Sequence, residues 1–390
     1  MARGEILSAR VESIAAGGAG ITRFEGKSVF IDLTAPGDSV QFQIIKENRD
    51  WARGELLEIL EPSPQRTEPP CPYYGLCGGC SLQHLDYEAQ IEAKTAILRS
   101  AFERIGRINT PTIRVHRSAP FEYRNRLRLH IIHGADEKSK NRPGFKERRS
   151  PRLVTIDDCP VADAGIRKAI KEGDFLPPGN YENLSVFSSG KTFLLEGVRE
   201  SGKVSILDRE LSMDLKVFFQ SNIAMLELLI GDLMAAAETS DKNLPLADIY
   251  SGVGSFASFL NPGFPEIDLV EENRAALDLA RENMPKGKKV NYYALTDTEW
   301  VKTMEKKNKR SFSFMVLDPP RSGLSVPLRK WLAQKGPDLA AYVSCDPATL
   351  ARDSRILVEG GYTIKELIFY DFYPQTAHIE SLTVFSRGTQ

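Results

Sequence analysis

The amino-acid sequence predicts a multidomain α/β protein, with β-rich segments first and a Rossmann-like, mainly parallel sheet in the C-terminal half. The chain has 390 residues, which is too long for one compact core. From Phe218 onward, segments of strand character alternate with helical segments, a pattern typical of βαβ units and parallel sheets. Residues 1–60 instead contain only short alternating runs between turns, which indicates a separate β domain.

The N-terminal segment has the features of a small β-barrel. Alternating runs such as KSVFIDL and DSVQFQII lie between glycine-rich or Pro-Gly turns. We expect five strands that form an OB-like barrel. Residues 62–72 contain five prolines, which can extend neither a strand nor a helix, so we interpret this stretch as a linker.

The stretch CPYYGLCGGC directly follows these prolines and holds three of the five cysteines in the chain: Cys71, Cys77 and Cys80. No apolar run approaches the roughly 20 residues of a membrane span, and the N-terminus has no apolar segment of a secretory signal. We therefore expect a cytoplasmic protein with no membrane partner. Clustered cysteines in a reducing compartment bind metal or do chemistry more often than they form disulfides. From this stretch alone, a disulfide framework, a zinc site, an iron–sulfur site and a reaction centre all remain open.

The middle of the chain is predicted as one helix followed by a β-rich region. A hydrophobic stripe of helical spacing runs through residues 87–105, and residues 112–212 have strand character. The segment 114–152 carries twelve Lys and Arg residues against four acids, a local charge of +8 on a chain of net charge −1. This basic segment indicates a polyanionic partner, and a solvated surface is the equally weighted alternative.

The C-terminal half contains a strand, a glycine turn and a helix in the stretch ADIYSGVGSFASFL. Gly252 and Gly254 in this turn let the backbone approach a ligand at the carboxyl end of the strand. The next strand ends on Glu271, where an acid can bind both hydroxyls of a ribose. These features indicate a nucleotide site and leave open whether its ligand is a dinucleotide or S-adenosylmethionine.

Three further polar residues are predicted at the ends of neighbouring strands. The stretch LDPPR places Asp318 after one strand, YVSCDP ends the next strand on Cys345, and DFYPQTAHIESL brings Glu380 with an aromatic cluster. A thiol, two carboxylates and a nucleotide-binding strand on one rim form a convergent reaction site. Each residue alone also has an ordinary structural interpretation, as a helix cap, a small core residue or a surface charge.

Five stretches of the C-terminal half together resemble the S-adenosylmethionine-dependent RNA (uracil-5-)-methyltransferases: FFQSN, DIYSGVGSF, LDPPRSG, YVSCDPATLARD and DFYPQTAHIE. The first 60 residues resemble the TRAM domain, an RNA-binding barrel. The cysteine loop with TIDDCP resembles the iron–sulfur region of the ribosomal members of the family. The resemblance implies a TRAM-like barrel over 1–61, a central iron–sulfur and RNA-binding domain over 70–88 and 112–212, and a methyltransferase domain over 89–111 and 213–390.

The resemblance also implies roles for individual residues. Cys345 is expected to add covalently to C6 of uracil, and Glu380 to remove the C5 proton after methyl transfer. With Cys345 in that role, a 4Fe-4S cluster is expected on the other four cysteines: Cys71, Cys77, Cys80 and Cys159. Spacing alone suits a zinc site equally, and the resemblance favours the cluster.

The expected contacts of S-adenosylmethionine follow from the same resemblance: Gln220, Tyr250, Gly252, Gly254, Ser255, Glu271 and Asp318. One more contact is expected at Thr296 or Asp297, and Arg321 and His378 are expected nearby. The sequence departs from the family pattern at Ser251, where members often have cysteine, and at Ser255, where they often have asparagine.

RNA is the expected partner, ribosomal rather than transfer RNA, and the protein is expected to be a monomer. An adenine- or amino-directed methyltransferase is disfavoured because Arg321, not an aromatic residue, follows Pro320. A NAD-dependent oxidoreductase leaves Cys345 and the cysteine loop without a role. A non-catalytic, metal-stabilised RNA-binding protein remains an alternative, and a variant that lacks Cys345 separates it from the enzyme.

Overall fold

The computed structural model describes residues 1–133, 141–173, 181–306 and 311–388. These residues form sheets of six, five and eight strands and a two-stranded hairpin. No helix in this part of the chain is long and apolar enough to cross a bilayer. Residues 134–140 of the basic segment fall outside the described residues, as do 174–180, 307–310 and 389–390 of the predicted central and methyltransferase domains.

The N-terminal sheet closes on itself as a barrel. Its strands are β1 (Ile6–Arg10), β2 (Ser13–Ile14), β3 (Gly20–Phe24), β4 (Lys27–Ile31), β5 (Ser39–Glu47) and β6 (Trp51–Glu61), in the order β1-β5-β6-β4-β3-β2. β1 and β2 stand at opposite edges although they are consecutive in the chain, so the chain itself joins the two edges. Five strands were expected, and six are counted because the first is interrupted at Val11 and Glu12. Glu12 N still donates to the carbonyl of Ile21 (2.8 Å), which closes the barrel.

Helix α1 (Tyr87–Ala101) follows the cysteine loop and begins at Asp86, whose carboxylate accepts a hydrogen bond from Ala89 N (2.8 Å). A π-helical turn, Phe102–Gly106, continues it. Strand β7 (Ile113–His116) comes next and adds an edge strand to the C-terminal sheet, with Ile113 in the core of that domain. The prediction placed residue 112 onward in the central domain, so the structure moves this boundary to the end of β7.

The central domain is an antiparallel sheet covered by one helix. Its strands are β8 (Arg126–Ile132), β9 (Arg142–Lys146), β10 (Leu153–Thr155), β11 (Asn183–Ser189) and β12 (Thr192–Leu195), in the order β10-β9-β8-β11-β12. Helix α2 (Ala164–Glu172) buries Ile166 and Ile170 against the sheet. The sequence analysis predicted only strands here. The helix is nonetheless marked by its cap residues, Asp163 before it and Gly173 in left-handed conformation after it.

A hairpin of β13 (Ser201–Ile206) and β14 (Arg209–Asp214) leads into the C-terminal domain. That domain contains α3 (Ile223–Glu238), β15 (Leu246–Ile249), α4 (Ser255–Leu260), β16 (Glu266–Val270), α5 (Arg274–Asn283), β17 (Lys289–Tyr293), α6 (Asp297–Lys306), β18 (Phe314–Leu317), α7 (Val326–Lys335), β19 (Leu339–Ser344), α8 (Pro347–Glu359), β20 (Tyr362–Tyr370) and β21 (Glu380–Arg387). The strand order is β17-β16-β15-β18-β19-β21-β20-β7, and the pairs from β17 to β19 are parallel. The order reverses between β15 and β18, and ligands of doubly wound sheets bind at such a reversal.

Candidate active site

A cavity of about 940 Å³ lies at the carboxyl ends of the parallel strands, where the strand order reverses. Its wall includes residues that follow β15, β16, β18 and β19 and the first residue of β21. Eight of the ten residues predicted for catalysis or for the cofactor line it: Gln220, Tyr250, Gly252, Glu271, Thr296, Asp318, Cys345 and Glu380. Asp297, Arg321 and His378 line it as well.

The glycine turn after β15 presents backbone to the cavity. Gly252 has a φ of +54°, and no atom lies within 4 Å of the position that a Cβ would occupy, so the space beside it is open to a ligand. Gly254 begins α4 at a φ of +76°, and a Cβ there would lie 3.2 Å from the Cβ of Ala280. Gly254 thus serves helix packing, and neither it nor Ser255, the first residue of α4, is part of the cavity wall.

Glu271 and Asp297 brace the turns around the cavity. The Glu271 carboxylate accepts hydrogen bonds from Gly252 N (3.1 Å) and Asn273 N (2.8 Å), which joins the turns after β15 and β16. Tyr250, at an uncommon φ of +65°, donates its hydroxyl to Asp297 Oδ2 (2.5 Å). Burial and this bond to Asp297 raise the pKa of Tyr250, so the phenol keeps the proton that it donates.

Cys345 and Glu380 are brought together by strand register. β19 and β21 are antiparallel and pair Ser344 with Ser381, so one residue further along Cys345 lies opposite Glu380. Burial, together with the charges of Glu380 and Asp318, raises the pKa of Cys345 to about 12, against an opposing contribution from Arg321. The site without ligand therefore holds a protonated thiol at neutral pH.

Two carboxyl groups of this wall are also shifted toward the protonated form. Burial, together with the charge of Glu271, raises the pKa of Asp318 to about 7. Burial raises the pKa of Glu380 well above its usual range, and Asp318 adds to it. A cation in the cavity would lower the pKa of all these acidic groups, because it stabilises their charged forms. The wall is thus complementary to a positively charged ligand.

The part of the wall beside Cys345 and Glu380 combines aromatic rings with basic groups. The His378 ring lies edge-on to Tyr373 with centroids 5.5 Å apart, and the Arg124 guanidinium lies 5.6 Å from the Tyr373 centroid. Burial, Arg321 and Arg124 lower the pKa of His378 to about 4, so Nδ1 of the neutral ring accepts a hydrogen bond from Arg321 (3.3 Å). Phe218 also lines the cavity and is 67% exposed. Such a surface suits a planar heterocycle.

The sequence analysis did not assign Tyr373, Arg124 or Phe218 to the site. Tyr373 and Phe218 do lie within the stretches DFYPQTAHIE and FFQSN, so an exposed aromatic residue beside a predicted site residue was an available signal. Arg124 carries no comparable local signal, because only the packing of the central domain brings it to this wall.

The basic segment 114–152 is less available to a partner than its composition indicates. Arg149 forms an ion pair with Asp32 of the barrel (2.6 Å), and Arg114 forms one with Asp232 (2.8 Å). Arg126 is partly buried and donates to main-chain carbonyls. These contacts neutralise part of the local charge of +8.

A second cavity, of about 220 Å³, is lined by the four remaining cysteines: Cys71, Cys77, Cys80 and Cys159. The cysteine loop lies against the central sheet, with Gly78 N donating to the carbonyl of Lys146 (2.9 Å). Burial, together with the neighbouring thiolates, raises the pKa of Cys80 to about 11 and that of Cys159 to about 12. The volume of this cavity is larger than that of several water molecules, which occupy about 30 Å³ each, so the cavity can hold a group of more than one atom.

No three His, Cys, Asp or Glu side chains in the described ranges converge closely enough to hold a single metal ion. The cysteines instead stand around the cavity. Arg124 lines both cavities and so lies between the cysteines and the site of Cys345.

Comparisons with known proteins agree with this architecture. The model of the tRNA (uracil-5-)-methyltransferase family matches residues 188–387, and the TRAM domain model matches residues 2–57. An RNA methyltransferase of Treponema denticola is 33% identical over 93% of this chain and 95% of its own length. A 23S rRNA (uracil(1939)-C(5))-methyltransferase of Legionella pneumophila is 31% identical over 98% of this chain and 97% of its own length.

Among solved structures, the tRNA (uracil-54, C5)-methyltransferase of Pyrococcus abyssi in complex with S-adenosyl-L-homocysteine shares the fold. It superposes with a TM-score of 0.73 at 23% identity and covers 97% of this chain and 100% of its own. The predicted TRAM domain and the predicted Rossmann-like methyltransferase domain are thereby confirmed.

Proposed function

The chain belongs to the RNA (uracil-5-)-methyltransferase family, and from that premise we propose that it methylates C5 of a uridine in 23S rRNA through a covalent bond between Cys345 and C6 of the base. The observation that carries the proposal is the placement of Cys345 opposite Glu380 on the wall of a cavity that also holds Glu271 and Asp318. A nucleophile, a base and a nucleotide-binding turn share one wall, as covalent methylation of a pyrimidine requires.

The residues of the chain supply nucleophile and base. C5 of uracil is a weak nucleophile, so Cys345, after losing its proton to solvent, adds through Sγ to C6 and moves the C5–C6 electron pair into an enolate. S-adenosylmethionine, when bound, supplies the electrophilic methyl group that C5 takes up. The Glu380 carboxylate then removes the C5 proton, the C5–H electron pair restores the C5–C6 double bond, and the C6–S bond breaks to return the thiolate.

The cavity fits S-adenosylmethionine by its shape and charge. Gly252 leaves open space at the carboxyl end of β15, where the nucleotide part would approach the backbone. Glu271 accepts two main-chain hydrogen bonds and retains acceptor capacity for the ribose hydroxyls. The acidic wall suits the sulfonium charge, and Gln220, Tyr250 and Asp318 complete the proposed contacts, with Thr296 or Asp297 beside them.

RNA substituted with 5-fluorouridine tests the proposal. Fluorine at C5 cannot leave as a proton, so we expect a stable adduct between Cys345 and the RNA that forms only with S-adenosylmethionine present. The adduct is measured as a band of reduced mobility on a denaturing gel, and mass spectrometry identifies the modified peptide. Wild-type protein that methylates ordinary RNA yet forms no adduct would contradict the covalent mechanism.

The ionisation of Cys345 gives a second test. Burial and the neighbouring carboxylates raise its pKa to about 12, so alkylation by iodoacetamide should be slow at pH 7 and rise about tenfold per pH unit up to pH 9. S-adenosylmethionine should shift this profile to lower pH than S-adenosylhomocysteine does, because the two differ by one positive charge at nearly equal size. Identical profiles with both ligands, measured by mass spectrometry, would contradict the proposed effect of charge.

We further propose that Cys71, Cys77, Cys80 and Cys159 hold a 4Fe-4S cluster. Four thiols around one cavity with room for several atoms support a polynuclear group, and its charge would stabilise thiolates that burial disfavours. When bound, the cluster would connect the cysteine loop covalently to the strand region before α2. Cys345 stays outside this group.

A preparation made without oxygen should be brown and contain about four iron and four sulfide per chain. Cys159→Ser should lose the iron and lower the melting temperature, because ligation contributes folding free energy. Cys345→Ser is the matched control and should retain the iron. A colourless protein with about one zinc per chain would contradict the cluster.

Transfer RNA is the second candidate substrate, since the family model and the Pyrococcus abyssi protein are both named for tRNA. Two features favour ribosomal RNA: the relative named for 23S rRNA is 31% identical, against 23% for the Pyrococcus abyssi protein, and the cysteine loop resembles that of ribosomal members. Mapping of 5-methyluridine in rRNA and tRNA from cells that lack the gene decides between them. We still expect the protein to act in the cytoplasm and to be a monomer.

A further inference from the structure

The connection between β20 and β21, residues 371–379, carries part of the active-site wall and is held from outside the sheet. Tyr373 and His378 of this segment line the cavity, and Glu380 follows it directly. Several of its anchoring partners lie in residues 81–94, which follow Cys80 and include the first half of α1. Tyr123 and Asn222 also hold the segment, by donating hydrogen bonds to the carbonyls of Pro374 (2.8 Å) and Phe372 (3.0 Å). These partners have no part in the chemistry derived above.

Lys94 anchors the start of the segment. Its side chain is fully buried, and Nζ donates to Asp371 Oδ1 (2.6 Å) and to the carbonyl of Tyr373 (2.9 Å). A buried ion pair is weak evidence for stability, because desolvation of both charges offsets their attraction and a hydrophobic pair is often as stable. What the pair does fix is the position of the backbone at Tyr373.

Gln90 and Ser81 anchor the middle of the segment. Gln90 accepts a hydrogen bond from Gln375 N (2.8 Å) and donates one to Gln375 Oε1 (3.0 Å), with both residues buried. Gln375 has a φ of +67°, which is unfavourable for this residue type and persists only where surrounding contacts fix it. Ser81, directly after Cys80, donates its N–H to the Gln375 carbonyl (2.9 Å), and its Oγ accepts from Ala377 N (3.0 Å).

We propose that Gln90 and Lys94 are positioning residues that fix the segment 371–379 and thereby hold Glu380 against Cys345. The proposal rests on the proposed function. Cys345 follows β19, and most of the proposed cofactor contacts follow β15, β16, β17 and β18, so the parallel strands position these groups and Gln90 and Lys94 do not. Loss of an anchor therefore slows the removal of the C5 proton and the release of the base, while formation of the adduct and binding of the methyl donor continue.

Two variants test the anchors separately. Gln90→Leu removes both hydrogen bonds to Gln375, and the double variant Lys94→Met with Asp371→Leu removes the ion pair without leaving one buried charge unpaired. Thr95→Val is the matched control, since Thr95 lies on the same helix and its hydroxyl bonds only to the carbonyl of Ile91 (2.7 Å). Melting temperature and affinity for S-adenosylhomocysteine are measured for all three variants.

We expect kcat to fall at least about tenfold in both anchor variants, since a displacement of about 1 Å at a reacting group can cost 10²-fold. KM for the methyl donor should stay within about twofold, and a methylated covalent adduct with ordinary uridine RNA should accumulate. Thr95→Val should behave as wild type.

Anchor variants that fold and turn over at the wild-type rate would overturn the positioning role alone. An equal loss of donor affinity and kcat would also overturn it, because the anchors would then be general packing residues. Wild-type protein that forms no adduct with 5-fluorouridine RNA would instead contradict the proposed function. The two failures are therefore distinguishable in the same set of assays.

Discussion

Replacement of Cys345 by alanine should abolish methylation of uridine, with kcat lowered at least about 10⁴-fold. In the proposed mechanism the thiol converts C5 of uracil into a nucleophile, and no other cysteine lines the cavity of about 940 Å³. A loss of this size corresponds to about 5.6 kcal/mol of transition-state stabilisation, at about 1.4 kcal/mol per tenfold change in rate. Methylation is measured by transfer of a labelled methyl group to RNA.

Two controls distinguish loss of the nucleophile from loss of the fold. Cys345 is only partly buried beside Ser344, so the alanine variant should keep its melting temperature and its affinity for S-adenosylhomocysteine. Cys345→Ser should be as inactive as the alanine variant, because a hydroxyl is too weakly ionised to add to C6. Wild-type methylation by Cys345→Ala would refute the covalent mechanism. Wild-type protein that binds RNA and methylates none would instead support the alternative in which the cysteines only stabilise an RNA-binding protein.

The main features of the site could be predicted because they depend on local sequence. Alternating strands and helices predict a parallel sheet, and the residues that follow its strands must then meet at one edge. Asp318 and Cys345 follow adjacent parallel strands, so their proximity is a consequence of topology. Glu380 was also expected at this rim, but its role as the base required the resemblance, and its position opposite Cys345 follows only from the antiparallel register of β21 against β19.

Other features depend on contacts between residues distant in sequence. Gly254 fits the glycine fingerprint, and the structure uses it to pack α4 against Ala280. Lys94 lies between Ile91 and Leu98 on the buried stripe of α1, but the sequence gives no sign of its partner Asp371, which lies 277 residues away. The availability of the basic segment was overestimated for the same reason, because the acids that pair with Arg114 and Arg149 lie far from it in the sequence.

Electrostatics connects the two chemical roles of the cavity. Without ligand, burial holds the Cys345 thiol and the Glu380 carboxyl in their protonated forms. In the proposed mechanism, a bound sulfonium would lower both pKa values before methyl transfer, which favours the thiolate of Cys345 and leaves Glu380 ionised before the C5 proton has to be removed. Ionisation of Cys345 after the donor has bound is useful for the reaction, because a thiolate that added to uracil without a donor would form an unproductive adduct.

Replacement of Glu380 by glutamine should separate methyl transfer from release of the product. Glutamine has nearly the same shape and cannot take up the C5 proton, so kcat should fall about 10²- to 10⁴-fold, the usual contribution of a general base. The adduct between Cys345 and ordinary uridine RNA should then accumulate, since its formation needs only the thiolate and the methyl donor. A denaturing gel with a labelled methyl group measures the adduct, which should carry the label in about one copy per chain.

Glu366→Gln is the matched control for this variant. Glu366 lies on the neighbouring strand β20 and forms a half-exposed ion pair with Arg114 (3.0 Å), so its loss should change neither turnover nor adduct. If Glu380→Gln forms no adduct and does not turn over, Glu380 acts before methyl transfer, as the group that activates Cys345. Accumulation of labelled adduct places it after methyl transfer, and the anchors at Gln90 and Lys94 then act on that same step.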